Sequence, residues 1–399
     1  MFTLPGCTMA EKTVFAQLFQ LINRYEFNKC VDRHQGNHGV RNFSCWDQYL
    51  AMAFAQLTGR DGLRDIEACL HSHRDKLYRM GFRGKVSRST LADANRARSY
   101  LIYQDFGMHL IDRARRLYRD ETFALDLDQA VFALDSTTID LCLSLFPWAH
   151  FRKTKAAVKA HTLLDLRGAI PSFVALTHGK VNDVMALDWI PLEPGSILTM
   201  DRAYNDFERL YRIHILPAFF VVRAKKNLLY RRVQTYRPAD KEAGVRSDQL
   251  IRLSGVKTAN AYPERLRRIT FVDLSRDKRF AFLTNHLTLP AVTIAEIYRQ
   301  RWQIELFFKW IKQHLKIKSF YGTSANAVKT QIWIAISTYL LIAIAKKELV
   351  IPEQISLHTF LHILEVNLFE QRRIKQILMD SLQQEREPPS SIQLNLFDF

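Results

Sequence analysis

YRQRWQIELFFKWIKQHLK, residues 298–316, repeats Phe, Trp, Ile and Leu at a helical period yet places Tyr298, Arg301, Glu305 and Lys312 at intervals of three, four and seven. At 100° per residue the last three lie at about 300°, 340° and 320° from Tyr298, so all four share a stripe roughly 60° wide on one expected helix. Ile297, Ile304, Phe307, Phe308, Ile311 and Leu315 gather on a separate arc that must be buried. A single carboxylate among cations has two readings. One is a solvated helix with an Arg301–Glu305 pair at i,i+4; the other is a functional edge. The rest of the chain decides between them.

The 399 residues, 48% hydrophobic and 24% charged, suffice for two or three packed domains and exclude disorder throughout. Lys and Arg number 57 against 40 Asp and Glu, a net charge of +17 with a pI near 9.7. Such a balance points to a polyanionic partner, either nucleic acid or an anionic membrane. The longest apolar run, 332–345, is 14 residues with Ser337, Thr338 and Tyr339 inside it. That is too short and too polar to span a bilayer, so a buried core helix and no membrane role are expected. No basic segment precedes an apolar core at the N-terminus, so no secretory signal is expected. Five cysteines without a C-x-x-C pair argue against a disulfide framework or a structural zinc site and fit a reducing cytoplasm.

Residues 11 to about 120 have helical periodicity in VFAQLFQLI, WDQYLAMAFAQLT, LRDIEACLHSHRDKLYRM and one segment from Ser89 to Leu117. In VSRSTLADANRARSYLIY, Thr90 with Asp93 resembles a capping box, followed by Arg96 and Arg98. That helix is either a groove-entering DNA reader or a solvated basic face. After Asp128 short apolar runs alternate with a helix from Asn205 to His214, an α/β pattern. Residues 224–285 turn basic and strand-like, a β-rich insertion. Helical pattern resumes at Thr293, continues through 328–349 and ends in one helix from Ser356 to Leu382, before the linker-like QQEREPPSS.

Two expected strands, AVFALD and SILTMD, end in Asp135 and Asp201. Carboxylates at the carboxyl ends of α/β strands sit where such sheets place ligands. Taken singly, each also reads as a turn or helix cap, Asp135 over the turn Ser-Thr-Thr. With Glu305 they make three acids on separate elements. Mg²⁺ and Mn²⁺ prefer oxygen ligands, and paired ions activate water and stabilise a leaving oxygen in phosphoryl transfer. Three such acids in a basic chain point to metal-dependent chemistry on nucleic acid, which a membrane role leaves unexplained.

These residues resemble the DDE transposases of bacterial insertion sequences, in insertion-sequence family four, whose third acid lies in a Tyr-x2-Arg-x3-Glu-x6-Lys signature. Tyr298, Arg301, Glu305 and Lys312 reproduce that spacing, and FALDSTTID and ILTMDRAYNDFERL look like the two Asp regions. The resemblance implies a ribonuclease H-like catalytic core interrupted by a β-rich insertion and preceded by a helical DNA-binding domain. The boundaries expected are 1–125 for the helical domain, 126–223 and 291–350 for the core, 224–290 for the insertion, 351–383 for a C-terminal helical segment and 384–399 for a tail.

The resemblance further implies that Asp135, Asp201 and Glu305 bind Mg²⁺, with Mn²⁺ able to substitute. It implies that Tyr298, Arg301 and Lys312 hold phosphates of the transposon end, with Trp302 near the terminal bases. Arg suits phosphate through its planar fork and Lys as a point charge. Relatives that form a hairpin hold a flipped base with an aromatic residue of the insertion, often Trp, but none of the six Trp falls in 224–285. Tyr230, Tyr236 and Tyr262 are the substitutes available there. The expected function is cleavage and strand transfer at terminal inverted repeats by a synaptic homodimer at the nucleoid; the alternative is a ribonuclease H-like nuclease that only hydrolyses. In the C-terminal SIQLNLFDF, Gln393, Leu394, Leu396 and Phe397 resemble the short peptide that docks on the replication sliding clamp, though a tail folding back onto its own chain fits the same residues.

Overall fold

Six helices open the chain: α1 (Val14–Gln20), α2 (Arg24–Arg33), α3 (Cys45–Leu57), α4 (Leu63–Ser72), α5 (Arg88–Ala97) and α6 (Leu101–Leu117). Strands β1 (Val131–Leu141), β2 (His150–Arg152), β3 (Lys155–Asp165), β4 (Ile170–His178) and β5 (Ile197–Met200) follow, then α7 (Phe207–Ile215) and β6 (Phe219–Arg223). Next come β7 (Tyr230–Arg237), β8 (Val245–Leu253), the short α8 (Val256–Ala261), β9 (Leu266–Asp273) and β10 (Lys278–Thr284). The chain continues with α9 (Ala291–Gln300), α10 (Trp302–His314), α11 (Ala325–Glu348), α12 (Leu357–Asn367) and α13 (Ile374–Gln384). This computed structural model describes residues 12–384 except 122–124, 126, 153–154, 276 and 315–319, with backbone alone at 313–314 and 381–384. The tail carrying Gln393, Leu394, Leu396 and Phe397 lies outside the described residues.

The chain divides into two compact units, Met1–Phe106 with Trp333–Phe399, and Gly107–Ile332. The first is helical. Its centre is α3, buried along its whole length and started by a capping box between Ser44 and Asp47. Phe15, Phe19, Phe27, Trp46, Tyr49 and Phe106 interlock there, with ring centroids 4.5–6.3 Å apart, and each buried ring contributes roughly 1.5–3 kcal/mol. The apolar run of α11 is buried, as its composition predicts. Among the described residues α11 alone is long and apolar enough to cross a membrane, and 94% of its most apolar window is buried.

The second unit is built on one mixed sheet, with strand order β2-β3-β1-β5-β6-β10-β9-β8-β7 and β4 paired to β3. β1, β5 and β6 are parallel, with α7 as the crossover from β5 to β6, while β3 runs antiparallel to β1. The α/β expectation therefore holds. The basic strands of the expected insertion are joined edge to edge with this sheet, because β10 pairs with β6 from Phe282↔Arg223 to Thr284↔Val221.

Four local expectations are corrected. Asp135 does not end a strand or cap a turn: β1 runs on through Ser-Thr-Thr to Leu141, because those residues pair with β3 from Asp135↔Thr162 to Leu141↔Ala156. The helix expected across 298–316 breaks at Arg301, where N–H groups reach back three residues, Arg301 to Tyr298 and Ile304 to Arg301. The segment from Ser89 to Leu117 is two helices. The first is capped by Ser87 rather than Thr90, and it ends at Arg98, whose backbone is extended and whose side chain is held by Gln48 and the Phe43 carbonyl. The single C-terminal helix is likewise two, α12 and α13.

Candidate active site

The parallel part of the sheet ends at the pair Leu134↔Met200, and the next residue on each strand is an aspartate. β1 continues past that point against β3 alone, whereas β5 stops and Asp201 turns the chain into a short 3-10 turn, Arg202–Tyr204. Asp201 caps that turn, its Oδ1 accepting from Ala203 N at 2.6 Å. The bland reading of Asp201 as a cap is thus correct, and it coexists with a place beside Asp135.

Asp135 is half-buried. Its Oδ1 accepts from Ser136 N at 2.8 Å, and its Oδ2 accepts from Arg301 Nη1 at 3.1 Å. Burial raises its carboxyl; the Ser136 N–H and the Arg301 charge pull the other way, and the nearby negative charges of Asp201 and Glu305 push it further, leaving it at about 6. Arg301 Nη2 also donates to Glu305 Oε1 at 2.5 Å. One guanidinium therefore bridges two of the three acids, with its plane near the Tyr298 ring, 5.7 Å from the centroid. The break at Arg301 lets it cap α9 while α10 starts beside it and carries Glu305 and Lys312.

Lys312 reaches across to β1, where Nζ donates to the Thr138 carbonyl at 2.9 Å. Asp135, Ser136, Thr137, Glu305, Phe308, Lys309 and Lys312 line an open hollow of about 420 Å³. A larger hollow of about 670 Å³ is lined by Tyr298, Arg301 and Trp302 with Phe280, Phe282 and Arg223. Tyr298 packs on Phe282 at 4.8 Å, and Trp302 is 57% exposed at the start of α10.

The structure thus brings Asp135, Asp201, Glu305, Arg301, Tyr298, Trp302 and Lys312 to one end of the sheet. Tyr230 is not drawn there; it sits on β7, with Arg268 over its ring at 5.0 Å. Arg96 and Arg98 belong to the other unit, Arg96 paired with Asp93 at 2.7 Å.

Beside Asp135 lies a polar support that the sequence does not announce. Ser136 Oγ donates to Asp183 Oδ1 at 2.5 Å, and Lys159 Nζ lies 2.9 Å from the same oxygen while donating to the Val181 carbonyl at 2.7 Å. Lys159 is 8% exposed, so this pair pins β1 next to the acid. A lysine within the buried run of β3 is its only sequence trace. Tyr204 is buried below; burial, then the charges of Asp135, Asp183 and Asp201, raise its phenol so that it stays protonated.

Among the described residues no three Asp, Glu, His or Cys side chains are grouped to enclose a metal ion ready-made. The donor set nevertheless suits a hard divalent ion. It is all carboxylate oxygen, drawn from three elements, and Asp135 is pushed up first by burial and then by two like charges that a cation relieves.

Residues 126–341 match the family described as Transposase DDE domain, and residues 10–83 match one described only as a domain of unknown function. The chain is 35% identical over 261 residues to a putative transposase, y4zB, of Sinorhizobium fredii, covering 64% of this chain and 71% of that protein. It is 33% identical over 211 residues to a probable transposase for insertion sequence element IS5377 of Geobacillus stearothermophilus, covering 52% and 55% of the two chains. A putative transposase for insertion sequence element IS4SA of a Synechocystis strain is 26% identical over 297 residues, covering 71% and 78%.

Proposed function

The chain belongs to the DDE transposases of bacterial insertion sequences, and from that premise we propose that Asp135, Asp201 and Glu305 are the groups with which this DNA transposase cleaves and joins strands. The observation that carries the assignment is the register of the sheet: it sets two aspartates side by side just past Leu134↔Met200, and Arg301 ties one of them to Glu305. The Tyr-x2-Arg-x3-Glu-x6-Lys spacing supports placement in insertion-sequence family four. The mixed core, with β1, β5 and β6 parallel and β3 and β4 antiparallel beside them, supports a ribonuclease H-like reading.

The family uses a divalent metal, and Mg²⁺, replaceable by Mn²⁺, is the ion that carboxylate oxygens here would hold. When bound, it supplies activation of water and stabilisation of the departing 3′ oxygen. The chain's own residues do the rest. Tyr298, Arg301 and Lys312 bind phosphates flanking the scissile bond, and Trp302 meets the terminal base. Asp183 and Lys159 hold the Asp135 segment in place through Ser136. In cleavage water attacks phosphorus, the P–O3′ bond breaks and a 3′-hydroxyl is freed; in joining that hydroxyl attacks a target phosphodiester and frees a target 3′-hydroxyl. Arg301 donates to Asp135 Oδ2 and Glu305 Oε1, oxygens that would hold the metal, so on end binding it would exchange the two carboxylates for a phosphate.

Two partner readings belong to the same proposal. Both transposon ends are held in a synaptic homodimer, and the Gln-Leu-x-Leu-Phe tail at 393–397 docks on the replication sliding clamp. The joining step separates a transposase from a nuclease that only hydrolyses. A labelled transposon end incubated with a plasmid target and Mg²⁺ is expected to become covalently joined; nicking without joined product would favour the nuclease.

A further inference from the structure

The residues matched to the family of unknown function run into RDKLYRMGFRGKVSR, 74–88, which holds six cations against one acid, Asp75. The segment runs without regular structure from the end of α4 to Arg88, the first residue of α5, and its apolar residues are anchors: Leu77, Met80, Phe82 and Val86 are all at most 8% exposed. Between those anchors Arg74, Arg79, Arg83, Lys85 and Arg88 are exposed. None of the five has an ion-pair partner among the described residues. Arg24, from α2, joins them with its guanidinium over Trp46 at 4.7 Å. Burial, then the like charge of Arg83, lowers the pKa of Arg24, and Asp47 only partly opposes this. Asp47 is itself already engaged by Ser44 and by the Arg83 backbone N–H.

Tyr78 is 86% exposed at the middle of the segment and borders two hollows of about 480 Å³ and 760 Å³. Gly84 has open space where a side chain would stand, so the backbone there can approach a ligand closely. A pinned segment that presents unneutralised cations, a bare tyrosine and an open glycine has the chemistry of phosphate-backbone recognition. At the far end of α5, by contrast, Arg96 is paired with Asp93, and the following Arg98 is held by Gln48 and Phe43.

We propose that residues 74–88, with Arg24, form a duplex-DNA backbone-binding surface that begins within the match to the family of unknown function and runs past its end at residue 83. The inference uses the transposase reading only in taking DNA as the polyanion. Arg79, Arg83 and Lys85 lie along the strand backbone as point and fork contacts, and Tyr78 reaches a phosphate or sugar oxygen.

The test uses the full chain and a fluorescein-labelled duplex of about 30 base pairs of arbitrary sequence, with anisotropy read across a salt series. The triple variant Arg79→Ala/Arg83→Ala/Lys85→Ala is compared with Lys29→Ala/Arg373→Ala/Lys375→Ala, which removes equal charge elsewhere in the same unit, and unfolding curves confirm that both are folded. The first variant is expected to bind at least about tenfold more weakly and to flatten the slope of log K against log salt by about three, the second to change the slope by less than about one. Equal slopes for the two variants, with steep binding by the parent chain, would overturn the surface while leaving DNA as partner. Absence of salt-dependent binding by the parent chain would overturn both.

Discussion

Arg301 Nη1 lies 3.1 Å from Asp135 Oδ2 across 166 residues of sequence. The same guanidinium holds Glu305, so a protein cation stands between two carboxylates that the proposed mechanism gives to a metal. Charge balance makes the two cations alternatives, and a DNA phosphate is the anion that can draw the guanidinium away.

Removing the side chain therefore has opposite effects on the two ligands. Arg301→Ala is expected to bind Mn²⁺ about tenfold more tightly than the parent chain without DNA, a gain of about 1.4 kcal/mol, and to bind a transposon end more weakly. Free Mn²⁺ measured by electron paramagnetic resonance gives the first quantity. Unchanged or weaker Mn²⁺ binding would sink the exchange.

The buried pair Arg267–Asp248 links β8 and β9 with both side chains fully buried, at 2.9 Å and 2.6 Å, and Arg267 also donates to the Leu289 carbonyl at 2.6 Å. Arg267→Ala leaves a carboxylate buried without its partner and is expected to cost about 3–5 kcal/mol, whereas Arg267→Met with Asp248→Leu recovers most of that loss. Urea unfolding of the three proteins decides; a single-variant cost below about 1 kcal/mol would refute the account of the pair.

His161 is fully buried on β3, its Nε2 bonded to Thr177 Oγ1 at 2.9 Å. Burial, with the charge of Lys159 adding and that of Asp183 opposing, lowers its pKa to about 4. The unfolded chain takes up this proton near pH 6.5 and the folded chain does not, so stability is intact above that value and falls as pH drops toward about 4. Between about pH 7.5 and pH 5 the parent chain should lose about 2 kcal/mol more than His161→Gln. Parallel pH curves for the two proteins would contradict the assignment.

The signature at 298–312 is legible because a stripe of fixed spacing survives a small change of helix geometry. The break at Arg301 is not, since good helix formers flank it and Arg301 itself keeps right-handed helical angles. Ser-Thr-Thr after Asp135 reads locally as a turn, although Thr137, Thr138 and Ile139 are β-branched; the antiparallel partner β3 decides the matter, and it lies elsewhere in the chain. Neither Pro nor Gly marks the gap between α12 and α13. The contact of Ser136 with Asp183 spans 47 residues and is invisible to any local pattern. Composition announces a polyanionic partner, but it cannot distinguish Arg96, paired with Asp93, from the cations at 74–88 that have no ion pair among the described residues.

The most direct test of the catalytic assignment is cleavage of a labelled transposon end in Mg²⁺ by the parent chain and by Asp135→Asn, Asp201→Asn and Glu305→Gln, with end binding measured in parallel. Each variant is expected to lose at least about a thousandfold in cleavage and joining while keeping end affinity within about tenfold. Cleavage near the parent rate by any of the three variants would contradict the assignment.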